Sequence, residues 1–76
     1  MGKLGDDLHA LSVFMKEKIR HLIAGKTLRR GFVKLMMRNL LENGELTEEI
    51  QNYYLDQLRD LDEEIEILEQ ALNKLN

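Results

Sequence analysis

The chain has 76 residues, no cysteine, no proline, 33% charged residues and a formal net charge of −3. A domain this small buries only about 60% of its unfolded surface, so it wants a staple; disulfides and thiolate metal sites are excluded, which leaves oligomerisation. The charge is divided unevenly: residues 1–41 hold nine Lys/Arg against three acids, and residues 42–76 hold two against eleven, so the halves attract each other within a chain or between chains.

Three helical segments are expected, at about 6–24, 27–43 and 47–75, all in one all-α domain spanning 1–76. The first has Asp6 as its N-cap, Asp7 in its first turn, and an apolar stripe of Leu4, Leu8, Leu11, Met15, Ile19 and Leu22. Gly25 is a plausible stop, although one glycine inside a helix costs only about 1 kcal/mol, so the first two segments form either one long helix or two with a break, and a break or kink is favoured. The second segment is apolar over most of its circumference through Leu28, Phe32, Val33, Leu35, Met36, Met37, Leu40 and Leu41. Such a helix is buried on several sides, more than its own chain can cover.

Asn43-Gly44 is the strongest turn signal in the chain, and Thr47 then caps the third segment. Tyr54, Leu58, Leu61, Ile65, Leu68, Leu72 and Leu75 follow at alternating steps of four and three, the heptad seam of a coiled coil. Acids flank this seam at Asp62, Glu64 and Glu69, so a basic-flanked helix suits it better than a copy of itself. In an antiparallel hairpin turning near Gly44, that basic partner is the N-terminal half, with Arg30 and Lys34 near Asp56, Asp60 and Asp62. The fold class expected is a helical hairpin or three-helix unit with a long C-terminal coiled-coil-like helix, assembled into an oligomeric helical bundle.

The residues Asn43-Gly44-Glu45-Leu46-Thr47-Glu48-Glu49 resemble the Gly-x-Ile-Thr-x-Glu-Glu turn of short helical oligomerisation modules of the SHOCT type. Any joint between two helices shares these residues, so the resemblance identifies a joint and assigns no family.

The candidate surfaces are two. Phe32, Met36, Met37, Leu40 and Leu41, with Leu68, Leu72 and Leu75 as a heptad overhang, are the expected oligomer or partner interface. Lys26, Arg30, Lys34 and Arg38 recur every four residues as a basic ridge, with Arg29 beside it, and are the candidate nucleic-acid contacts if they are not paired with the acidic third segment. No aromatic residue interleaves the ridge, so base stacking on it has no support. Ala24-Gly25-Lys26-Thr27 resembles the end of a phosphate loop, but Arg20 stands where that loop needs glycine. Glu17 and His21 are one helical turn apart and are read as a surface pair, since a metal site needs several convergent ligands. Ser12 is the only serine, and no nucleophile–base pair is visible. No catalytic residue, cofactor or metal is expected. The function expected is protein–protein: a small adaptor, assembly factor or regulator, homodimeric, soluble and cytoplasmic. The alternative is a nucleic-acid-binding regulator on a dimeric helical scaffold.

Overall fold

A computed structural model describes the backbone of residues 2–75 and the side chains of residues 7–75. It contains two helices, α1 (Gly2–Glu42) and α2 (Glu48–Leu75), packed against each other as a hairpin. The two-helix alternative therefore holds, and the three-segment division does not: α1 runs through Gly25 without interruption, and it starts at Gly2, before the expected cap at Asp6. The side chains of Leu4 and Asp6 lie outside the described residues.

Gly25 stays helical because the helix packs on α2 around it. Its neighbours on both sides in sequence, Ile23 and Lys26, face α2, and Lys26 Nζ is 2.7 Å from Glu64 Oε2. A helix pinned to a partner on both sides of one glycine offsets the roughly 1 kcal/mol that glycine costs.

The turn is built from the residues that signalled it. Glu45 N–H donates to the Leu40 carbonyl at 2.8 Å and Gly44 N–H donates to the Leu41 carbonyl at 3.1 Å, while Gly44 holds a φ of 71°. These bonds form a Schellman closure, in which a left-handed glycine returns the chain to satisfy the last helical carbonyls. Thr47 then caps α2, its Oγ1 accepting from Ile50 N–H at 3.2 Å, with Glu48 and Glu49 in the first turn where the helix dipole favours acids.

The hairpin is a rod of 65 × 15 × 12 Å with a radius of gyration of 18.3 Å. A compact chain of this length would have about 11 Å. At 1.5 Å per residue α1 is about 62 Å long and α2 about 42 Å, so α1 extends some 20 Å beyond the end of α2. The overhang is thus the N-terminal part of α1, not the end of the heptad seam. Leu68, Leu72 and Leu75 lie half-buried alongside α1.

All seven seam residues of α2, from Tyr54 to Leu75, are half-buried or buried, and Leu61 is buried. On α1 the residues facing this seam recur at the same alternation: Lys16, Ile19, Ile23, Lys26, Arg30, Val33, Met37 and Leu40. Two helices enclose very little. Among the described residues, only Val33 and Leu61 are fully buried.

Candidate functional site

The row of α1 that meets α2 is unusual because its middle is charged. Lys26 and Arg30 occupy seam positions between Ile23 and Val33. Their alkyl stems cover apolar surface while their heads reach the rim. There, Lys26 Nζ meets Glu64 Oε2 at 2.7 Å and Arg30 Nε approaches Asp62 Oδ1 to 2.9 Å. The Arg30 contact is an ion pair and not an aligned hydrogen bond. Both pairs fall in the register expected of a hairpin turning at Gly44. Polar residues in an otherwise apolar seam fix register at a cost in stability, and each such half-exposed pair contributes no more than about 1 kcal/mol.

The basic ridge is therefore partly occupied. Lys26 and Arg30 are engaged by α2, and Arg38 Nε pairs with Glu42 Oε1 at 3.2 Å one turn along its own helix. Arg29 and Lys34 are exposed. Arg29 shares a polar cleft with Gln57, Asp60 and Glu64. Glu17, read as the neighbour of His21, lies 4.0 Å from Arg20.

The expected association residues separate into two groups. Met37, Leu40, Leu68, Leu72 and Leu75 are half-buried between the helices of the hairpin. Phe32, Met36 and Leu41 are exposed, at 57%, 49% and 66%. More exposed apolar side chains accompany them on α1: Leu8, Leu11, Phe14, Met15, Leu22, Leu28 and Leu35. Apart from Phe14, these belong to the apolar stripe of the first expected segment or to the all-round apolar surface of the second.

Helical geometry gathers them. Counting heptads along α1 from the row that faces α2, Leu11 and Phe32 share one outer position, and Leu8, Met15, Leu22 and Met36 share the next; Phe14, Leu28 and Leu35 share the position on the other flank. The three positions are contiguous: Phe14, Leu28 and Leu35 lie opposite α2, Leu11 and Phe32 lie beside them, and Leu8, Met15, Leu22 and Met36 lie on the flank next to the α2-facing row. α1 is therefore a helix with two working faces, one against α2 and one against nothing in its own chain. Lys18, His21 and Arg29 interrupt the outer face.

In its C-terminal half is a depression of about 590 Å³ lined by Ala24, Thr27, Leu28, Gly31, Phe32 and Leu35. Gly31 forms its floor: a Cβ added there would meet nothing within 4 Å. Leu28 and Phe32 stand at its walls, 64% and 57% exposed. The arrangement has no convergent acids, bases or nucleophiles. Chemically it is a greasy trough along a helix, fitted to another apolar surface. Among the described residues no helix is long and apolar enough to cross a membrane, so the trough is not part of such a span. Compared with known proteins, the chain matches no family model, no curated protein and no solved structure.

Proposed function

We propose that this chain is a non-enzymatic interaction protein, a small adaptor, assembly factor or regulator that works as a helical homo-oligomer. The observation that carries this reading is the outer face of α1, where Leu8, Leu11, Phe14, Met15, Leu22, Leu28, Phe32, Leu35 and Met36 are exposed in an apolar band interrupted by Lys18, His21 and Arg29. Monomeric proteins rarely expose this many large apolar side chains along one helix, and where they occur they mark a contact with another molecule. The chain exposes 6239 Å². A compact protein of this mass exposes about 4,800 Å², so roughly 1,400 Å² is surplus. That is more than the roughly 800 Å² per partner of a standard stable interface.

The nucleic-acid alternative draws less support, because Lys26 and Arg30 are held by acids of the same chain, leaving Arg29 and Lys34 as the exposed cations of the ridge. The experiment that tests the proposal is sedimentation velocity of the wild-type chain beside Leu28→Glu and Leu35→Glu. The wild type should sediment above monomer mass, and each charged variant should shift toward monomer with its helical content intact. Sedimentation unaffected by both substitutions contradicts the assignment of this face.

A further inference from the structure

We infer that the occupant of the outer α1 face is a second copy of this chain, whose own α1 runs antiparallel, with the two-fold axis between Leu22 and Ile23. This deepens the proposed function and rests on it, adding the partner's identity, orientation and register.

Three observations converge on that geometry. The first is shape. The N-terminal half of the face carries bulky side chains, Phe14 and Met15, both exposed; the C-terminal half carries the trough floored by Gly31. Antiparallel pairing about Leu22 lays Phe14 of one copy over Gly31 of the other, and Leu11 beside Phe32 and Leu35. Missing side-chain volume on one helix lets a large residue of its neighbour approach the backbone closely.

The second is charge. α1 is strongly basic, so pairing it with another α1 invites repulsion. In a parallel pair Lys18 would face Lys18 and Arg29 would face Arg29. In the antiparallel register Lys18 and Arg29 no longer meet themselves, and the acid Asp7 falls beside the base Arg38. Lys18 and His21 fall beside the small residues near Gly25. Like charges opposed across helices select against an orientation, and opposite charges select for it.

The third is length. The N-terminal part of α1 projects about 20 Å past its own α2. Antiparallel pairing lays that overhang along residues 30–38 of the second copy, whose outer face includes Phe32, Leu35 and Met36. Both overhangs are then supported, and the acidic α2 helices stand on the outside of the assembly.

Single-cysteine variants test the orientation cleanly, because the native chain has no cysteine. Phe14→Cys and Gly31→Cys chains are mixed in equal amounts, oxidised, and resolved by intact mass, with circular dichroism confirming helix in each. The mixed disulfide should dominate, and neither variant alone should cross-link to itself. Leu22→Cys alone should form a homodimeric disulfide, since it adjoins the axis. If Phe14→Cys loses helicity, the pair Leu11→Cys and Leu35→Cys serves in its place with the same expectation. Gly31→Leu, which fills the trough without a clash in the isolated hairpin, should raise the dimer dissociation constant by at least about tenfold with helical signal unchanged. Self-cross-linking of Gly31→Cys at the expense of the mixed species would overturn the orientation. A native chain that sediments as a dimer yet gives no mixed disulfide would overturn this pairing and leave the proposed function standing. A native chain that sediments as a monomer would overturn both.

Discussion

Gly25 and Gly44 are two glycines of one sequence that do opposite things, and backbone geometry tells them apart. Gly44 sits at a φ of 71°, in the left-handed region that closes α1. Gly25 is an ordinary helical residue with open space where a Cβ would be. The same substitution should therefore have opposite signs. Gly25→Ala should raise the unfolding free energy by about 1 kcal/mol, since alanine costs the unfolded chain less freedom on entering a helix. Gly44→Ala should lower it by about 1–2 kcal/mol, the cost of forcing a Cβ into that conformation. Urea denaturation followed by circular dichroism measures both. Thr47→Ala, which removes the acceptor for Ile50 N–H, should cost about 1 kcal/mol in the same assay.

Among elements, α2 and α1 present contrasting problems. α2 has one apolar row that meets α1, as the heptad spacing indicates, although Tyr53, Leu55 and Ile67 lie off it and are exposed. α1 was harder to read. Its facing row includes Lys16, Lys26 and Arg30, so hydrophobicity directs attention to Leu8, Leu11 and Met15, which are exposed. Only Ile19 belongs both to the apparent stripe and to the facing row. The clue that could have found the true row was charge: Lys26 and Arg30 stand in register with Glu64 and Asp62. Continuity at Gly25 was not legible either, because a glycine in a helix is a small cost that long-range packing decides. The joint at Asn43 to Thr47 was legible, because its determinants are local. If the charged seam trades stability for register, Lys26→Leu should raise the unfolding free energy of the hairpin by about 1 kcal/mol, since a half-exposed ion pair contributes less than a seam leucine. A fall in stability by the same urea assay would mean that the Lys26–Glu64 pair contributes more than a partly exposed ion pair ordinarily does.

For the whole molecule, surface decides. A 65 Å rod of two helices has little interior, and among the described residues its fully buried side chains are Val33 and Leu61 alone. Such a hairpin is marginal as a separate object, because small domains have little core to offset the entropy of ordering the chain. A second helical surface laid on the outer face of α1 would supply the missing core, remove Phe14, Leu28 and Phe32 from water, and leave the acids of α2 solvated. The candidate interface was legible in the sequence only as an excess of apolar residues. Which of them were spare could be assigned once α2 had claimed its own row of α1.

The most direct test is the solution mass of the unmodified chain by sedimentation equilibrium, from micromolar to submillimolar concentration. The account predicts a mass of at least twice the 8.9 kDa of the single chain, reached well below the upper concentration. A well-folded helical species holding at 8.9 kDa across the whole range would contradict it.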